Sequence, residues 1–129
     1  MKTVVSSLVL AIAVFISPAA AQDRFSGYYN NECTTSHVCD LRIERAGPLK
    51  WHVVWEPFVW RGDGIPVCRR EFVVQVGGPE GVYVDGIASG TLDGRLVGML
   101  DRGLGRMEIR SEGGCAGIGM AGHYRAVGD

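Results

Sequence analysis

The chain has 129 residues, 13 Lys and Arg against 14 Asp and Glu, and 47% hydrophobic residues. So even a balance argues against polymeric phosphate or an anionic membrane as a partner chosen by bulk charge, and no basic patch for nucleic acid is visible along the chain. The length suits one domain with a modest core.

Lys2 opens the chain, an apolar stretch interrupted by Ser6 and Ser7 covers residues 4–16, and Pro18 breaks any helix there. Ala19-Ala20-Ala21 supplies the small-x-small pattern of a cleavage site. Residues 1–21 therefore read as a cleavable signal peptide and residues 22–129 as a single domain. The apolar run is too short for a stable membrane span after processing. Gln22 stands where a lipoprotein would need cysteine. The expected location is the periplasm or the exterior.

Turn signals then recur along the rest of the chain, with no long stretch of helical period. Residues 24–32 form a first predicted strand, carrying Gly27-Tyr28-Tyr29. A second covers 39–45, with Cys39, Leu41 and Ile43 on one face. A third covers 49–56, with Leu49, Trp51, Val53 and Trp55 on one face and Lys50, His52 and Glu56 opposite. Ala46-Gly47-Pro48 joins these two as a hairpin. Strands follow at 68–76 (Phe72, Val74 and Val76 inward) and 82–88, separated by the turn at 77–81. Residues 90–100 read as one strand or as a tight hairpin about Asp93-Gly94. Gly103-Leu104-Gly105 turns the chain into 107–110, and a Gly-rich last strand spans 117–126. About eight strands in simple succession predict an all-β, small antiparallel up-and-down barrel, with a two-sheet β-sandwich as the alternative. The Gly-aromatic first and last strands would pair to close it.

The four cysteines, Cys33, Cys39, Cys68 and Cys115, are even in number in a short exported chain, which predicts disulfides. Strand order places all four at one end of the barrel. Closure makes the first and last strands neighbours, so the expected pairing is Cys33–Cys115 with Cys39–Cys68. The rival, Cys33–Cys39 with Cys68–Cys115, closes a short hairpin loop and then crosses the barrel mouth. His37 lies between Cys33 and Cys39, but that spacing is wider than zinc sites use, so no metal and no cofactor are expected.

Other motifs weigh less. Gly117-Ile118-Gly119-Met120-Ala121-Gly122 matches a dinucleotide fingerprint, but it lacks the following helix and distant acid. His37, His52 and His123 have no serine or cysteine nucleophile in register. Asp85, Asp93 and Asp101 could meet as paired carboxylates but read more simply as turn residues. No enzyme is expected. The segment 58–65 stands out: Phe58, Trp60, Arg61 and Asp63 set aromatic anchors beside charges in a Gly- and Pro-rich loop, the composition of protein-binding hot spots. Arg61-Gly62-Asp63 is also an RGD tripeptide.

The plan of signal, eight short strands, few cysteines and Gly-aromatic first and last strands resembles small exported bacterial β-barrels of the lysozyme- and metalloprotease-inhibitor type. Ser89-Gly90-Thr91-Leu92 keeps only the Ser-Gly pair of the lysozyme inhibitors' loop motif. The expectation is a non-enzymatic exported protein that recognises a protein partner, with inhibition as one such role. The alternatives are a barrel holding a small apolar ligand between Trp51 and Trp55, and a structural envelope protein without a discrete site.

Overall fold

In the computed structural model, which describes residues 23–77 and 86–128, ten strands form: β1 (Gly27–Thr34), β2 (His37–Gly47), β3 (Lys50–Val59), β4 (Arg70–Val76), β5 (Ile87–Leu92), β6 (Arg95–Gly103), β7 (Arg106–Arg110), β8 (Gly114–Cys115), β9 (Ile118–Gly119) and β10 (Gly122–Ala126). Eight of them close into an antiparallel barrel in simple succession. β10 returns beside β1 through Tyr29↔Ala126 and Asn30↔Arg125. Closure removes the exposed sheet edges that a sandwich would leave. The predicted signal peptide and most of the strand predicted at 82–88 lie outside the described residues.

Period-two alternation sets the inner face. Cys39, Leu41 and Ile43 of β2, Trp51, Val53 and Trp55 of β3, and Phe72, Val74 and Val76 of β4 are all buried in one core with Val97, Met99, Met107 and Ile109. Burying side chains of this size is worth about 1.5–3 kcal/mol each, which makes the interior the main stabilising term. Trp51 and Trp55 are 0% exposed, so no solvent-sized space borders either ring. They act as core residues and do not wall an open ligand cavity.

Three two-residue turns carry positive φ at both central positions: Asp93-Gly94, Leu104-Gly105 and Ala116-Gly117. That geometry matches the right-handed twist of hairpins. It resolves residues 90–100 into the hairpin β5–β6. Gly90 has a different role. A Cβ there would lie 2.0 Å from the carbonyl oxygen of Val73, so only glycine lets β5 approach β4 this closely. Ser89-Gly90 therefore belongs to a strand in this chain, not to a loop.

The two barrel ends are plugged differently. At one end Phe25 packs edge-on against Trp51, with ring centroids 4.7 Å apart, and its carbonyl accepts from the Tyr29 hydroxyl at 3.0 Å. At the other, the segment predicted as the last strand divides. The small hairpin β8–β9 folds over the barrel mouth, burying Ile118 and Met120, and β10 begins only at Gly122. Tyr124 of β10 holds this plug in place. Its hydroxyl accepts from Trp55 Nε1 at 3.0 Å and donates to the carbonyl of Met120 at 2.6 Å.

All four cysteines gather at this second end, but the expected pairing is corrected. The bonds are Cys33–Cys39 and Cys68–Cys115, and no described cysteine is free. An irregularity in the β1–β2 ladder between Asn31 and Thr34 brings Cys33 beside Cys39. Cys115 lies on the plug hairpin instead of the barrel wall, so it crosses the mouth to Cys68 and not to the first strand. Two disulfides suit an oxidising, extracytoplasmic environment.

Candidate functional site

β3 leaves the barrel wall at Val59, and the chain rejoins it at Arg70. The intervening loop stands at the cysteine end and is tethered at three points. Trp60 N donates to the Ser36 carbonyl at 2.8 Å, Val67 N donates to the Pro57 carbonyl at 2.8 Å, and Cys68 is bonded to Cys115. Inside the loop, Gly62 N donates to the Val59 carbonyl at 3.0 Å, and Ile65 N donates to Asp63 Oδ1, also at 3.0 Å. The second contact is an Asx turn, which Asp and Gly favour. Gly62 has a packing reason of its own, because a Cβ there would come within 3.0 Å of Val59.

With its backbone bound in this way, the loop presents apolar side chains outward. Trp60 is 57% and Ile65 66% exposed, and Val59 and Val67 are exposed beside them. The Arg61 guanidinium lies 5.6 Å from the centre of the Trp60 ring, a cation–π contact that orders both groups. Arg61 itself holds φ 57°, so its direction is set by a left-handed backbone that L-residues rarely adopt. Grooves of about 200 and 320 Å³ flank Trp60. One runs against Thr34, His37 and Val38; the other runs against Asp40, Phe58 and Gly62.

The sequence-predicted residues divide here. Trp60, Arg61 and Asp63 stand exposed together on the loop, whereas Phe58 is half-buried on the outer face of β3, opposite Val38. Neither Phe58 nor Trp60 covers the barrel mouth, which the plug hairpin fills. Ile65 and Val67 add to the surface. Their signal in the sequence is an apolar residue set among Gly64, Pro66 and Cys68, where no strand can bury it.

Polar groups beside the loop are paired with one another. Arg69 Nε bonds Glu71 at 2.8 Å and its Nη1 reaches Glu56 at 3.4 Å, while His52 Nε2 meets Glu71 at 3.0 Å. The Arg69 hydrogen bond is the main reason the Glu71 carboxyl sits below its usual range. Asp40 moves the other way, raised first by burial and then by Glu56 directly across the ladder.

Elsewhere the candidate chemistry is dispersed. Asp93 pairs with Arg70 at the cysteine end and Asp101 with Arg24 at the opposite end, so these carboxylates do not meet; Asp85 lies outside the described residues. His37 Nδ1 contacts Thr34 Oγ1 at 2.7 Å and Ser36 Oγ at 3.2 Å within one turn, and no carboxylate among the described residues bonds the ring. Cys33 and Cys39 are bonded to each other, which leaves no thiolate beside His37. Among the described residues no three His, Cys, Asp or Glu side chains are grouped to hold a metal ion. Gly117, Gly119 and Gly122 fall in a hairpin and a strand, without the helix a dinucleotide site needs.

No protein family, curated protein or solved structure matches the chain.

Proposed function

We propose that this is an exported, non-enzymatic binding protein, periplasmic or secreted, that recognises a protein partner through the β3–β4 loop. The observation that carries the reading is the exposure of Trp60, Arg61 and Ile65 on a loop tied down by two backbone hydrogen bonds and a disulfide. A restrained loop loses little entropy on binding, and Trp and Arg are the residues that dominate interface energies. A protruding, pre-ordered loop of this kind also suits an inhibitor that fills a partner's cleft.

Affinity capture from envelope extract, comparing the wild type with Trp60→Ala, Arg61→Ala and Ile65→Ala, tests the assignment. A partner retained by the wild type and lost by the loop variants is expected. Equal recovery of every bound protein by all four would sink it. Because Trp51 and Trp55 are buried and Trp60 is exposed, acrylamide quenching of tryptophan emission reports on Trp60. A genuine partner should shield that signal.

A further inference from the structure

At the barrel end away from the cysteines, choices that local physics disfavours sit together. Leu104 takes the first central position of the β6–β7 turn at φ 56°, where Asn, Asp or Gly is preferred, and it is 95% exposed. An exposed leucine alone says little. Here it is both exposed and held in a left-handed backbone. Beside it, Arg106 of β7 and Arg125 of β10 are directly opposed on the outer face, an arrangement in which like charges repel. Neither pairs with an acid among the described residues. Arg106 instead donates to the carbonyls of Gly103 at 3.3 Å and Arg102 at 3.4 Å. The apolar row continues across neighbouring strands. Ala126 N donates to the Gly105 carbonyl at 2.7 Å and Val127 N to the Tyr28 carbonyl at 2.8 Å, which places Val127 and Tyr28, each 48% exposed, on the segments next to the Leu104 turn.

Strain, exposed apolar surface and opposed cations in one place mark a surface shaped for contact, not for stability. We propose that this end docks on an anionic phospholipid bilayer. Leu104 enters the acyl boundary, Arg106 and Arg125 share lipid phosphate, and Tyr28 lies at headgroup level. The near-zero charge of the whole chain hides this, because neither arginine is ion-paired among the described residues: Glu108, the acid nearest along β7, is bonded by Arg102 and Arg110. The acids at this end are engaged elsewhere: Asp23 accepts from Trp51 Nε1 and Arg24 pairs with Asp101. The β3–β4 loop then points away from the membrane.

Flotation with vesicles tests the proposal, using protein recovered after export from the full-length chain. Binding to phosphatidylcholine vesicles containing phosphatidylglycerol, absent with phosphatidylcholine alone and weakened by salt, is expected. Leu104→Asn should lower the bound fraction about tenfold while raising Tm, since asparagine suits the turn; a folding defect cannot produce that combination. Arg106→Gln and Arg125→Gln should each cost about fivefold. Trp60→Ala, at the other end, should leave flotation unchanged, which keeps this test separate from the partner reading. Absence of anionic-lipid-dependent binding, an unaffected Leu104→Asn, inorganic phosphate competing at millimolar concentration, or self-association through this face would each overturn it.

Discussion

Removing one oxygen atom, in Tyr124→Phe, should expose how the barrel and its plug are joined. Tyr124, Trp55 and Met120 are all 0% exposed, so the indole N–H and the Met120 carbonyl that the hydroxyl satisfies have no water to turn to. Each buried group left without a partner costs about 1–3 kcal/mol, while the phenyl ring still fills the space. Two such groups, each in the lower half of that range, give a loss of about 2–4 kcal/mol. In a domain of this size that is a fall in Tm of roughly 10–25 °C. Urea unfolding followed by tryptophan emission measures it, because Trp55 changes environment. Trp55→Phe should cost less in the Tyr124→Phe background than in the wild type, since one orphaned donor is then removed. Burial pushes the Tyr124 phenol up to about 12. Its folded pKa thus lies above the unfolded value of about 10. Its contribution is therefore complete below pH 10 and lost as pH rises from there toward 12, and the variant should lose less over that window. Stability of Tyr124→Phe within about 0.5 kcal/mol of the wild type would refute the bridge.

The two disulfides should differ in weight. Cys68–Cys115 closes a separation of 47 residues and Cys33–Cys39 one of 6. Loop-closure entropy then assigns about 4 kcal/mol to the first and about 2 kcal/mol to the second. Double replacement by alanine, compared in urea, should rank them in that order, and the reverse order would show that the loop-closure account fails here. Asp23 supplies an acid-side prediction. Burial raises its pKa, but hydrogen bonds from Ser26 and Trp51, with Arg45 nearby, outweigh that and hold it below the usual carboxylate value. Its contribution is present above pH of about 4 and lost as pH falls through the lower folded value. Asp23→Asn should flatten that acid limb, and parallel pH curves for the two proteins would contradict the assignment. Gly90→Ala should cost at least about 3 kcal/mol, because the contact at 2.0 Å is with backbone. Gly119→Ala, with nothing within 4 Å, should change stability by under about 0.5 kcal/mol in the same assay.

Most of the barrel was legible in advance because its strands obey a period of two. Residues 39, 41 and 43, then 51, 53 and 55, then 72, 74 and 76 all reach the core. The turn at Asp93-Gly94 announced itself by composition, and the Gly-aromatic ends did pair as β1 and β10. The disulfide pairing was not legible. Ile118 and Met120 are two residues apart, so a short plug hairpin and a barrel strand read alike. Surrounding glycines carry no side chain that would set a register. Once residues 114–119 leave the wall, Cys115 is no longer beside Cys33.

The candidate surfaces show the same division. Gly, Pro and charge around residues 58–65 marked a loop, and the aromatic residues in it suggested recognition. Which aromatics are available was decided in three dimensions: Trp51 and Trp55 fall inside the wall, and Trp60 falls one residue past the end of β3. The pairing of Arg106 with Arg125 across two strands joined by a long excursion was likewise invisible along the chain. Local alternation and turn chemistry act between near neighbours in sequence, so the chain alone determined an all-β, disulfide-braced barrel. Cross-strand register and the path of the plug depend on contacts between distant residues, and only the closed barrel settled which side chains face one another and which face out.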